Sequence, residues 1–277
     1  MSRRSTKWLT VVSMVGVIGV ATFGLAGSAG ASSRSSRSAR SAHLSATTAV
    51  TTTSFSFTAS VSGPASTVTV TGTGQADFTT DTASFSVDLP AAVAKLIPGG
   101  SAAPEVINAV LSGGTVYVQV PSLATVVGEP WISVTLPTKV LARAAVLTKV
   151  AAALGDVNAI DTFAQAHHAT VTSLGTAMVD GVDATGTKFV ATLSHRGGGR
   201  TLTASVWADS SGQLVQANVS VPAGATKGSL GVTATANFTG DNAPVTITVP
   251  PSSEVKAIPY STVASLLRKG RHRIHRA

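Results

Sequence analysis

Residues 179–222 read VDGVDATGTKFVATLSHRGGGRTLTASVWADSSGQLVQANVSVP. Apolar and polar side chains alternate in three runs, around Phe189, Val206 and Val219. Alternation with a period of two is typical of strands with one buried and one solvated face. Glycine and aspartate separate the runs, and both residue types favour turns: glycine adopts positive φ without strain, and aspartate accepts bonds from nearby backbone. The stretch therefore predicts an antiparallel meander of three strands.

An earlier stretch, residues 57–90, aligns with residues 189–222 without a gap. Asp77 then matches Asp209, and Pro90 matches Pro222. One interpretation is a duplicated meander, which builds one continuous sheet from two related halves. The alternative is that meanders rich in Ala, Ser, Thr and Val match by composition alone. Both interpretations predict strands in the two places.

Further alternating runs predict additional strands at residues 55–61, 115–120, 130–136, 169–178, 229–238 and 245–249. Helices are predicted where apolar residues recur at helical spacing, in two cases after a proline that can occupy the first helical position. One short helix is expected around Val93, a second begins at Pro104 and carries Ile107 and Leu111, and the longest covers residues 137–154.

Charge is unevenly distributed along the chain. The net charge is +8, but 11 of the 20 Lys and Arg residues lie in the two ends, and all 12 acidic residues lie between residues 45 and 265. That central part has nine basic residues and a net charge of −3. Aromatic residues are few and do not interleave with basic ones, which argues against a nucleic-acid binder. Any role of the basic ends is expected to be loose contact with anionic membrane or envelope polymers, which salt would screen.

The N-terminal residues have the pattern of a secretory signal peptide, assigned to residues 1–31. A positive segment that ends at Lys7 precedes an apolar run at residues 8–26, and Ala29 and Ala31 fit a cleavage site. The alternative is an uncleaved anchor, because the run approaches membrane-spanning length. Residues 32–53 are predicted to be a disordered linker, 54–267 the folded domain and 268–277 a basic tail.

No catalytic or metal-binding constellation is present in the sequence. The chain has no cysteine, which excludes disulfides, thiolate metal sites and lipid attachment through an N-terminal cysteine. His167 and His168 are adjacent and would point about 100° apart on a helix, so they would chelate one metal poorly. Asp180, Asp183 and Asp209 fit hairpin and turn positions better than a calcium site. We therefore expect no enzyme activity, metal or cofactor.

Several short motifs resemble, in the same order, those of one protein family. Residues 114–121 with 130–134, then 179–182, 206–215 and 245–251, are similar to motifs of the LppX/LprG-type actinobacterial lipoproteins. The resemblance covers residues 50–265. It implies an α+β fold related to LolA and LolB, in which a curved antiparallel half-barrel has helices packed on its concave face. The family's lipidated cysteine is absent from this chain.

The resemblance implies an exported cell-envelope protein that binds or carries lipid or glycolipid in an apolar cavity between sheet and helices. The alternative is a non-catalytic structural or interaction domain of the envelope whose core is filled. Strand alternation and helical spacing supply the candidate cavity residues, which are Phe57, Val70, Phe85, Val87, Val118, Ile132, Val134, Leu141, Ala145, Ala151, Phe189, Leu202, Val206 and Val219.

Export of the full chain is expected to release a product that begins near Ser32, because Ala29 and Ala31 follow the apolar run. Intact-mass measurement on the culture supernatant checks this start. Recovery only from membrane pellets, with Met1 or Ser2 retained, would contradict cleavage and favour the anchor.

Overall fold

The computed structural model describes residues 50–63, 67–94, 103–137, 169–193, 200–223 and 230–262. These residues form one open sheet of twelve strands, two short α-helices and one 3₁₀ turn. The helices are α1 (Ala91–Ala94) and α2 (Pro121–Val127), and the 3₁₀ turn is Ser252–Glu254. The strands are β1 (Thr52–Ser62), β2 (Thr67–Asp77), β3 (Thr82–Leu89), β4 (Glu105–Ser112), β5 (Thr115–Gln119), β6 (Trp131–Thr135), β7 (Thr170–Val179), β8 (Val182–Leu193), β9 (Arg200–Asp209), β10 (Leu214–Val221), β11 (Gly231–Thr239) and β12 (Val255–Ala257).

The order across the sheet is β12, β6, β5, β4, β3, β2, β1, β11, β10, β9, β8, β7. Neighbouring strands are antiparallel except β12 and β6, which are parallel. Within the described residues the two end strands do not pair, so the sheet is half-barrel-like and not closed. The protein is mainly β, and the predicted packing of helices on the concave face is not confirmed. The longest helix was predicted over residues 137–154, of which 138–154 lie outside the described residues.

The two aligned sequence stretches form equivalent meanders, β1–β3 and β8–β10. At a constant offset of 132 residues, β2 and β9 end at the matched Asp77 and Asp209, and β3 and β10 have equivalent ends. The pairing also matches, because Thr52 lies opposite Asp77 as Ala184 lies opposite Asp209. Among the described strand pairings of the two meanders, the register differs only at a bulge between β9 and β10. The two stretches therefore agree in strand bounds and register, beyond composition.

Each meander turns after its second strand on an aspartate side chain. Asp77 Oδ1 accepts a bond from the backbone N–H of Thr79, and Asp209 Oδ1 accepts one from Ser211, both at 2.8 Å. Asp209 Oδ1 also accepts a bond from the N–H of Gln213 at 2.9 Å. The Thr79 hydroxyl donates to Asp77 as well and lowers the pKa of that carboxyl. The matched aspartates thus make the same local turn.

Two phenylalanine rings of β1 lie on two glycines of β2. Phe55 lies opposite Gly74 and Phe57 opposite Gly72, and the end of each ring occupies the place of a glycine Cβ. A larger residue at either glycine would overlap a ring. The Phe55 ring also packs at 6.1 Å, centroid to centroid, from that of Phe238 in β11, in a tilted arrangement that aromatic pairs favour. These contacts place β1 at the centre of the core.

The helix predicted from Pro104 is wrong, because these residues form β4 between β3 and β5. Ile107 is buried at 1 % exposure on one face of the sheet, and Val110 at 6 % on the other. A strand buried on both faces loses its alternation, and its apolar residues can then fall at helical spacing. The β-branched side chains of β4 fit the extended backbone better.

The strand predicted at residues 245–249 is also wrong. These residues alternate in burial but pair with no other described strand. The preceding strand, β11, already has β1 and β10 on its two sides, so no sheet edge is free beside it. The chain rejoins the sheet only at β12, which pairs with β6 at the far edge. Burial alternates here because every second side chain of this unpaired segment is turned toward the rest of the protein.

Helix α2 follows β5 directly and was not predicted. Pro121, expected only to end the strand, is the first residue of the helix, and Gly128 ends it with a φ of 87°. Glu105 of β4 accepts bonds from the backbone N–H of Ser122 at 2.6 Å and from its hydroxyl at 3.0 Å. A carboxylate at this helix end satisfies a free N–H group. Neither described helix is long and apolar enough to span a bilayer.

Replacing Gly74 with alanine is expected to lower the free energy of unfolding by about 1–3 kcal/mol, because the new Cβ overlaps the Phe55 ring. Phe55→Leu removes the end of that ring, so Gly74→Ala should lower the free energy of unfolding by less in the Phe55→Leu background. Thr71→Ala, at an exposed position of the same strand, is the control and should change stability by about 0.5 kcal/mol or less. Chemical denaturation measures all of these, and equal losses in both backgrounds would contradict the packing argument.

Candidate functional site

One face of the sheet carries most of the buried apolar side chains, and we call it the apolar face. Residues directly opposite each other in neighbouring strands point to the same side of a sheet, so the register defines rows of side chains on this face. The central row crosses seven adjacent strands and contains Phe238, Phe55, Gly74, Phe85, Ala109, Val118 and Ile132. The next row contains Ala217, Ala236, Phe57, Gly72, Val87 and Ile107.

Every candidate cavity residue that the structure describes lies on the apolar face. The eleven residues come from eight strands, and the register brings together Phe57, Val70, Phe85, Val87, Val118, Ile132, Val134, Phe189, Leu202, Val206 and Val219. The other three candidates, Leu141, Ala145 and Ala151, lie outside the described residues. A shared face is what a common cavity requires, and contact of these residues with lipid stays a prediction.

Burial of the candidates varies across the apolar face. Phe57 is 5 % exposed, Val70 2 % and Phe189 2 %. Six other candidates are half-buried, namely Phe85, Val118, Ile132, Val134, Leu202 and Val219. Apolar area therefore remains accessible at these six positions, and three of them, Val118, Ile132 and Val134, lie together on β5 and β6, at the flank of the face nearest β12.

Several buried residues of the apolar face were missing from the candidates, among them Ile107, Ala236 and Phe238. Ile107 was assigned to the helix that proved to be β4. Ala236 and Phe238 alternate with threonine and asparagine in β11, and the same alternation test could have identified them.

The acidic residues considered for a calcium site have separate structural roles. Asp180 occupies the turn between β7 and β8 with a φ of 50°, Asp183 lies in β8, and Asp209 forms its Asx turn. In the part of the chain that the structure describes, no group of three or more His, Cys, Asp or Glu residues could hold a metal ion. The adjacent His167 and His168 lie outside that part.

A polar pair of one buried and one half-buried residue lies at one end of the apolar face. Thr53 of β1 is 1 % exposed, and its hydroxyl donates to Asp241 Oδ1 at 2.5 Å. Burial raises the pKa of Asp241, and the nearby carboxylate of Asp209 adds to the increase, while the bond from Thr53 opposes it. The folded chain thus extends to β1 residues before Ser54, where the domain was predicted to begin.

Asp241→Asn is expected to stabilise the protein increasingly as pH rises above 3.8, the ordinary pKa of the carboxyl. A raised pKa in the native state means that folding favours the protonated form, so the free energy of unfolding falls as pH rises through that pKa. Asparagine keeps an acceptor for Thr53 and removes the charge. Denaturation of the wild type and the variant across pH measures the difference. Asp88→Asn, at an exposed position of β3, controls for the lost charge, and a pH-independent difference would contradict the argument.

No family model and no curated protein sequence matches the chain. Solved structures are similar at low identity. The crystal structure of the Mycobacterium tuberculosis lipoprotein LppX is 13 % identical, covers 72 % of this chain and 90 % of its own, and superposes with a TM-score of 0.39. An outer membrane lipoprotein-sorting protein domain from Vibrio parahaemolyticus is 7 % identical, covers 68 % of this chain and 83 % of its own, and has a TM-score of 0.21. At this similarity, function is argued from the residues of the chain itself.

Proposed function

We propose that the protein is an exported lipid-binding carrier of the cell envelope, which holds acyl chains of a lipid or glycolipid against the apolar face and catalyses no reaction. The observation that carries the proposal is the position of the eleven described cavity candidates, which share one face although they come from eight strands. The motif resemblance to the LppX/LprG-type lipoproteins implies the same class of ligand.

The flanks of the face are the part that we expect to contact the ligand. Val118 and Ile132 lie opposite each other in β5 and β6, and both are half-buried. Each methylene that an acyl chain buries against such residues contributes about 0.8 kcal/mol. A chain that lies along several half-buried residues therefore binds without any charged or catalytic group.

The second candidate is a structural domain of the envelope whose core is filled by its own side chains. Close packing at the centre of the face favours it, because the Phe55 ring lies 5.8 Å from that of Phe85 and 6.5 Å from that of Phe57. The two candidate functions predict different effects of a larger side chain at the flank on lipid affinity and on stability.

Val118→Phe is expected to weaken lipid binding about tenfold, because the added ring atoms displace roughly two methylenes of the ligand. The melting temperature should not fall, since the ring would occupy space that the ligand otherwise fills. Binding is measured by titration of the delipidated protein with a dansyl-labelled fatty acid, and co-purified lipid is identified by mass spectrometry.

Val190→Phe is the matched control. Val190 is also a half-buried strand valine, but it lies on the opposite face, so its replacement should leave fatty-acid affinity unchanged. If the wild type binds no fatty acid and Val118→Phe lowers stability by about 1–3 kcal/mol, the core is already filled and the structural candidate is correct.

A further inference from the structure

The opposite face of the sheet, which we call the polar face, carries a groove of about 480 Å³ across β1 to β4. Two rows of side chains form its walls, and the register aligns each row across the strands. One wall contains Ser56, Thr73, Ser86 and Asn108, and the other contains Thr239, Ser54, Gln75, Ser84 and the buried Val110. The backbone of the central apolar row, which includes Gly74, forms the floor between them.

The first wall belongs to a longer row, which we call the polar row. In six adjacent strands its members are Asn237, Ser56, Thr73, Ser86, Asn108 and Gln119. The row ends at Trp131 in β6, and on the other side it continues through Gln216 to Trp207 in β9. All of these side chains are uncharged, and they are exposed or half-buried.

Hydrogen bonds between amides hold parts of the polar row in place. Asn108 Nδ2 donates to Gln119 Oε1 at 2.9 Å, and Gln216 Nε2 donates to Asn237 Oδ1 at 3.0 Å. The first bond uses one atom of each amide, which leaves Asn108 Oδ1 and Gln119 Nε2 for another partner. The row therefore offers donors and acceptors side by side in a fixed arrangement.

The two tryptophans add apolar surface at the ends of the row. The Trp207 ring lies on Gly186 of β8, where it takes the place of a Cβ, so the ring is held against the sheet. It is half-exposed, as is Trp131. A tryptophan has an apolar ring and a single N–H donor, which suits ligands that present both C–H groups and hydroxyls.

We propose that the polar row binds a neutral, linear polysaccharide. Sugar hydroxyls both donate and accept hydrogen bonds, as the amides and hydroxyls of the row do, and the C–H faces of sugar rings pack on tryptophan. Neighbouring side chains of the row are separated by the strand spacing of about 4.8 Å, so successive sugar rings of a polymer can contact successive side chains. The absence of charge from the row disfavours a phosphate-bearing or acidic polymer. The proposal does not depend on lipid binding, which uses the opposite face.

The test uses the exported protein in native gels that contain dextran, mannan, xylan or hydroxyethyl cellulose, compared with gels without polysaccharide. We expect at least one polysaccharide to retard the wild type. Trp131→Ala and Trp207→Ala should each weaken that retardation about tenfold, measured as the polymer concentration that gives half the shift.

A matched pair of arginine substitutions keeps the test independent of tryptophan packing. Ser86→Arg places a bulky side chain in the groove and should abolish retardation. Thr69→Arg adds the same group on the same face, at an exposed position outside the groove, and should leave retardation unchanged. Absence of retardation in every gel, equal effects of the two arginines, or binding only to glycolipid vesicles would overturn the proposal. Fatty-acid affinity should be the same for the wild type and Ser86→Arg, which separates this proposal from the lipid one.

Discussion

The contact of phenylalanine rings with glycine backbone sets the register on which the rest of the sheet depends. Phe55 and Phe57 fit only where β2 presents Gly74 and Gly72. A slip of one residue in the β1–β2 pairing would leave the rings and the glycines on opposite sides of the sheet and bring β-branched residues opposite the rings. Because the strands from β6 to β8 pair continuously, the register at β1 and β2 determines which side of each neighbour faces the core.

This arrangement gives the two faces of one sheet different chemistry. The apolar face collects valine, phenylalanine and alanine, whereas the polar face collects serine, threonine and amides. The groove on the polar face and the central apolar row share the same backbone around Gly74. Side chains of the two faces are nevertheless separate sets, so substitutions can address one face at a time.

Sequence patterns predicted the strands with one buried face and failed elsewhere for identifiable reasons. Alternation located β8 to β10 and assigned Phe189 and Val206 to the apolar face, because the period of two alone decides the face. It missed β4, where Ile107 and Val110 are buried on opposite sides. Alternation also cannot name a strand's partner, so it gave residues 245–249 a place in a sheet that had no free edge beside β11. The match between the two meanders carried more information, because it extended to their register.

The pairing of β1 with β11 joins parts of the chain that are far apart in sequence. Thr51, just before β1, bonds to Asn242, just after β11, across 191 residues. Contacts of such separation raise the contact order and slow folding, because a long loop must close before they form. During synthesis β1 therefore emerges early and completes its pairing late. Until then its free edge exposes backbone groups beside Phe55 and Phe57, and such edges pair readily with other chains. We expect the N-terminal meander to need protection by a chaperone longer than the C-terminal one.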